Sequence, residues 1–308
     1  MWWYLARRAG FSLAGLLVVS FVVLQLLALA PGDAATVMAG QNASQEALDE
    51  LRQELNLGRP AWQQWVGFWH GALRGDLGRS LYSGRPVLAE MAERAPYTVG
   101  LAGAAMAISL LLGVSAGALA ALHRGSRLDL LLMAGANMGL AVPSYWLAVL
   151  LVLLFSLHLG WLPVSGAGTP AHMFLPALCL GLPTAAVFAR LTRANVLDVL
   201  GSDYVLVARA KGLSRRAIML RHLLRNSLIP TVTVAGLHFG HLLGGTFIVE
   251  TIFSWPGLGR LTVQSVFNRD WPIIMGTSLA MALVYVVTNL VVDLLYGWLD
   301  PRLGQRSV

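Results

Sequence analysis

Apolar residues in this chain gather into six runs separated by shorter polar stretches, at 11–30, 98–122, 130–157, 174–197, 231–248 and 275–295. A helix that crosses a bilayer needs about 20 mostly apolar residues, because a rise of about 1.5 Å per residue must cover about 30 Å of hydrocarbon. Each run meets that length to within a turn. Backbone polar groups in hydrocarbon must bond inside their own segment, which a helix does, and no alternating barrel pattern competes. The pattern therefore predicts an all-α integral membrane protein with six transmembrane helices.

The polar stretches divide the chain in two: 1–95 hold the first run and an extracytoplasmic helical segment, and 96–308 hold the five-helix core. In the first part, Ser44 and Gln45 precede a helical stripe of Leu48, Leu51 and Leu55. Pro60 opens W-Q-Q-W-V-G-F-W, whose rings suit anchoring at the membrane–water interface. In the core, G-W-L-P-V-S-G-A-G-T-P makes an outer turn between the third and fourth runs. The stretch between the last two runs is too polar to span. Its Leu258, Leu261, Val263 and Val266 predict a short amphipathic helix over the outer mouth of a pathway.

Composition agrees with a membrane protein: 56% of residues are hydrophobic, 12% are charged, and the mean hydropathy is +0.66. The basic residues set the orientation. With both termini in the cytoplasm, 14 of the 22 Lys and Arg residues lie inside, while most acids lie outside. Topology thus accounts for a pI of about 10.2, and no nucleic-acid motif accompanies it. Arg7, Arg8, an apolar run and Ala28-Leu29-Ala30 imitate a cleavable signal, but the run is longer than a signal core and is expected to be a retained span. Cys179 is the single cysteine, which excludes an internal disulfide framework.

The most unusual connector is 203–230. It holds the only lysine, Lys211, among the arginines Arg209, Arg215, Arg216, Arg221 and Arg225. Gly212 is placed to hinge two short helices, since glycine reaches turn conformations that other residues resist. In the second helix Ala217, Leu220, Leu224 and Leu228 form an apolar stripe, with Arg215, His222 and Arg225 on another face. Asn226 and Pro230 are expected to close that helix before the fifth span. Ala210, Lys211, Gly212 and Leu213 then sit at the tip.

These motifs resemble the inner-membrane permease subunits of ABC importers, in the peptide/nickel branch (dipeptide, oligopeptide and nickel permeases). A-R-A-K-G-L followed by N-S-L-I-P is similar to the EAA coupling loop of that superfamily, with Leu206 where the loop's leading glutamate would stand. P-G-D at 31–33, L-N-L-G-R-P at 55–60 and G-D-L-G-R-S at 75–80 resemble the family's outer segment. V-P-S-Y-W, G-W-L-P, G-G-T-F-I-V-E-T-I-F-S-W-P-G-L-G-R, N-R-D-W-P and D-P-R follow in the family's order. The resemblance implies a non-catalytic subunit of the bacterial inner membrane, surrounded by lipid. It would pair with a homologous second permease and receive cargo from an extracytoplasmic binding protein, and two ATPase subunits would dock on the EAA loops of the pair. Ala208, Ala210, Lys211, Gly212, Leu213, Asn226 and Pro230 carry that coupling role. Cargo would be di- or oligopeptides, or nickel chelates.

No cofactor is expected in this chain. A P-loop needs G-x-x-x-x-G-K-[ST], and Lys211 stands between Ala210 and Gly212, so ATP and Mg²⁺ belong to the partner ATPases. Candidate path residues are His238, His241, Glu250, Asn137 and Tyr145. Ionisable groups inside a membrane are functional candidates. The two histidines share a helix face, where metal contact, path lining and pairing with a neighbouring helix are the alternatives. Glu250 is expected at the outer mouth, facing a binding-protein surface or a gate or held in an interfacial ion pair. Gly240, Gly244 and Gly245 are expected at close helix contacts, and Asn137, Tyr145 and Trp146 either on the path or in the core. A membrane-embedded hydrolase would want H-E-x-x-H or a nucleophile–base set, and no glutamate separates His238 from His241. A stand-alone secondary transporter would want repeated halves and buried charges, which the sequence lacks.

Overall fold

The computed structural model describes residues 2–29, 32–40, 43–55, 57–212 and 224–299. Their helices are α1 (Trp2–Leu29), α2 (Ala34–Ala39), α3 (Gln45–Glu54), α4 (Ala61–Ala72), α5 (Val87–Leu122), α6 (Arg127–Ala141), α7 (Ser144–Leu151, continued by a π-helix over Val152–His158), α8 (Pro170–Leu200), α9 (Asp203–Ala210), α10 (Leu224–Gly245), α11 (Phe247–Ile252), α12 (Leu258–Phe267) and α13 (Trp271–Leu299). No strand occurs among the described residues. By packing, the chain forms two compact units: Met1–Thr98 with Pro256–Val286, and Val99–Trp255 with Val287–Val308.

Among the described residues, α5, α8 and the Trp271–Leu290 part of α13 are each long and apolar enough to cross a membrane. The run at 130–157 is not the single helix its hydropathy suggests. α6 and α7 with its π-helical end pass the same test together but meet at a bend of 109°. Pro143 causes the break: it has no N–H for an α-helical bond, and it drives Val142 to extended backbone with φ −84° and ψ 121°. The apolar part of α1, Leu13–Leu27, is shorter. α10 also differs from expectation, for it runs unbroken from Leu224 through Asn226 and Pro230 to Gly245. Pro230 lies four positions after Asn226, so the helix loses one backbone bond there and continues.

In the first unit, α4 packs on α1 through one hydroxyl. Ser20 is buried, and its Oγ accepts the indole N–H groups of Trp65 at 3.0 Å and Trp69 at 3.1 Å while donating to the Leu17 carbonyl at 2.9 Å. These two rings therefore hold helices together, and Trp62, more than half exposed, is the one left to an interface. Asp33 caps α2, accepting from the Thr36 N–H at 2.9 Å, and takes the Arg52 guanidinium of α3 at 2.8 Å. α12 forms as predicted, but its buried face is Leu258, Leu261, Thr262 and Ser265; Val266 is exposed.

In the second unit α8 is the central element, with Leu175, Cys179, Leu180 and Phe188 in the largest buried cluster. Its contact with α5 depends on missing side chains. A Cβ at Gly113 would lie 2.5 Å from the Ala185 carbonyl oxygen, and one at Gly117 would lie 2.3 Å from that of Ala189. Such pairs of glycines four apart let helices approach closely in a membrane. The Ser109 hydroxyl completes the seam, bonding the Gly181 carbonyl at 2.9 Å. Gly244 and Gly245, expected at close contacts, have open space where a Cβ would be.

Candidate coupling surface and translocation groove

The coupling tip begins in α9. Val205 is fully buried against Ala121 at the end of α5 and Val196 of α8, so this short helix is fixed to two long ones. Gly201 ends α8, and the Ser202 hydroxyl bonds the Val199 carbonyl at 2.6 Å, which turns the chain into α9. α9 ends at Ala210, with the Lys211 N–H on the Val207 carbonyl at 3.0 Å. Gly212 then takes φ +79°, the left-handed turn that its lack of a Cβ permits. Ala210, Lys211 and Gly212 are all exposed. Ala208 lies in α9 and Asn226 and Pro230 lie in α10, while Leu213 and the stripe residues Ala217 and Leu220 fall outside the described residues.

One turn along α8 from this region, a second device joins helices. Arg193 donates through Nε to Asp129 Oδ1 at 2.7 Å and through a terminal nitrogen to Oδ2 at 2.8 Å. The fork-to-carboxylate geometry is the strong form of this pair. Asp129 also accepts the Gly125 N–H at 3.0 Å, and Ser126 caps α6 beneath it. The pair thus pins the start of α6 to α8. In the sequence Arg193 is one of the 14 basic residues placed inside, and the signal of its further role is a charge inside an apolar run.

Above that pair, α6 and α8 border an open groove of about 760 Å³ lined by Met133, Asn137, Leu140, Val187, Arg190 and Arg193 among others. Asn137 is exposed, as are Tyr145 and Trp146 farther along, so the core-packing alternative for these three is not realised in this chain. His238 is half-buried and meets the edge of Phe188 at a centroid distance of 5.6 Å, with His241 at 6.1 Å on its other side. Among the described residues no third His, Cys, Asp or Glu joins this pair as a metal site. Glu250 does not face an open mouth. It belongs to the separate helix α11 and is fully buried, because α10 stops at Gly245 and the chain restarts after Thr246.

Comparison with known proteins agrees on one family. Residues 113–305 match the family described as binding-protein-dependent transport system inner membrane component. Residues 1–102 match the N-terminal part of such membrane components. The glutathione transport system permease protein GsiC of Escherichia coli (strain K12) is 43% identical over 306 residues, covering 98% of this chain and 99% of the relative. The GsiC of Shigella flexneri serotype 5b (strain 8401) gives the same figures. Among solved structures, an amino acid ABC transporter with histidines superposes with a TM-score of 0.52 at 19% identity, covering 70% of this chain and 94% of that one. An inward-facing MetNI methionine ABC transporter gives 0.53 at 17% identity, covering 67% and 96%.

Proposed function

This chain belongs to the binding-protein-dependent inner-membrane permeases, the non-catalytic membrane subunits of ABC importers, and from that premise we propose its place and cargo. It crosses the membrane six times with both termini in the cytoplasm. It forms half of a translocation path with a second, homologous permease. An extracytoplasmic binding protein delivers small peptides at the outer face, and glutathione is the first cargo to try, since relatives that share 43% of positions are named for its transport.

The observation that carries the reading is the exposed turn at Ala210, Lys211 and Gly212, fixed to α5 and α8 by the buried Val205. A short rigid tip on two long helices can pass a push from an ATPase subunit into the membrane core. A flexible loop could not, because coupling needs an element with discrete packed arrangements. Closure of two ATPases on ATP would shift the permease between inward- and outward-open states.

Site-specific crosslinking tests this placement. With Lys211→Cys in a cysteine-free background, a bifunctional thiol reagent is expected to join the chain to its ATPase subunit in membranes. Labelling by an impermeant reagent from the outer face only would remove the coupling role and the orientation together.

A further inference from the structure

The geometry points to an oxyanion subsite at Arg190 and Asn137 that engages the C-terminal carboxylate of the cargo; this rests on the permease reading above. Arg190 is exposed to the groove between α6 and α8. Asn137 lines the same groove and is exposed as well. Gly139 of α6 faces Ala186 of α8, where a Cβ would lie 3.6 Å from that of Ala186. Asn137 and Arg190 stand two and four positions from this contact, within about 3 Å of one height.

Charge decides what such a groove would hold. Arg193 also lines it, but both carboxylate oxygens of Asp129 are spent on Arg193, and one of them on the Gly125 N–H too. Among the described residues no acidic side chain lines the groove. Arg190 has no hydrogen bond or ion pair among the described residues, so the groove keeps one uncompensated cation. A guanidinium at membrane depth is costly unless it faces water or an anion. Its planar fork matches a carboxylate in two parallel bonds, and the Asn137 amide can add a donor. Peptides end in a carboxylate, and glutathione carries two carboxylates against one ammonium. A phosphate on an inner-leaflet lipid offers the same chemistry, which the test separates.

The test uses the complete importer in proteoliposomes and compares uptake of glutathione with that of its glycine ethyl ester. The binding protein's own preference is common to all permease variants and cancels between them. Arg190→Gln should reduce the free-acid to ester ratio by about tenfold, as expected for one lost charge-assisted contact, and Arg190→Lys should retain part of it. An unchanged ratio in Arg190→Gln overturns the subsite. So does an equal fall for both cargoes, the result expected if Arg190 holds a lipid phosphate or an acid of the second permease. Should the wild type carry neither cargo, the glutathione reading fails. The subsite is then judged separately, by phenylglyoxal modification of Arg190 read by mass spectrometry. Protection by a carboxylate dipeptide but not by its amide supports it, and equal reactivity under both overturns it.

Discussion

Asp270 accepts the hydroxyl of Ser80, a residue 190 positions earlier, and through its other oxygen the Leu81 N–H at 3.1 Å. The carboxylate is almost fully buried. Arg269, at φ +58°, makes the turn that aims it, and the Tyr82 N–H lies 3.5 Å away on the Ser80 side. G-D-L-G-R-S and N-R-D-W-P, separate motifs in the sequence, therefore form one joint in the first unit.

Removing this anchor leaves buried donors unmet. Asp270→Ala should cost roughly 2–4 kcal/mol, since bonds to a charged group contribute about 1.5–3 kcal/mol each and the orphaned donors add their desolvation. Asp270→Asn should cost less. Thermal unfolding in detergent measures both, and a neutral Asp270→Ala would mean that the loop at Ser80–Tyr82 is not held here.

Glycine positions in α5 separate close contact from open space. Gly117→Leu should destabilise by about 3 kcal/mol, because its Cβ would begin 2.3 Å from the Ala189 carbonyl oxygen and the backbone must yield. Gly103→Ala, in the same helix with nothing within 4 Å, should be neutral or stabilising by up to about 1 kcal/mol. Equal effects at the two sites would contradict the α5–α8 seam.

Acid should loosen the segment after α1. Burial pushes the Asp33 carboxyl up, but the Arg52 hydrogen bond and the Thr36 N–H outweigh it, and the net direction is down. A carboxyl lowered in the folded state contributes stability above its unfolded pKa of about 3.9 and loses it as pH falls through the folded value. Hydrogen exchange in α2 and α3 should therefore rise below about pH 4. Asp33→Asn should exchange faster at neutral pH and lack that acid step; an identical acid profile would assign the step to another group.

How much of this was legible in the sequence depends on what each signal measures. Hydropathy found the apolar runs, since burial in lipid needs only composition. It missed the 109° bend, although V-P-S at 142–144 stated it, because a hydropathy window does not see backbone chemistry. It also missed G-V-S-A-G at 113–117 as the close contact and favoured Gly240, Gly244 and Gly245, of which Gly240 is buried and the other two meet open space. Spacing alone does not say which glycine meets a neighbour. Gly212 was read correctly as a turn, since its φ of +79° is a local property. Glu250 was misplaced because a helix break at Thr246 redirected it inward. The Asp129–Arg193 pair joins residues 64 apart: a charge inside an apolar run marks Arg193, but no local pattern names its partner.

At the tip, Gly212→Val meets a backbone with φ +79°, where a β-branched residue costs about 1–2 kcal/mol. Membrane insertion should be unchanged, and ATP hydrolysis should continue with uptake reduced by about tenfold or more. Uptake at the wild-type rate would remove the coupling role from this turn.

The central claim is tested most directly by reconstituting the chain with its candidate second permease, its two ATPase subunits and its binding protein, and following uptake of labelled glutathione. The account predicts uptake that needs ATP and the binding protein, stops in vanadate, and is lost when the ATPase subunits are left out. Uptake that persists without the ATPases or in the presence of vanadate would contradict it.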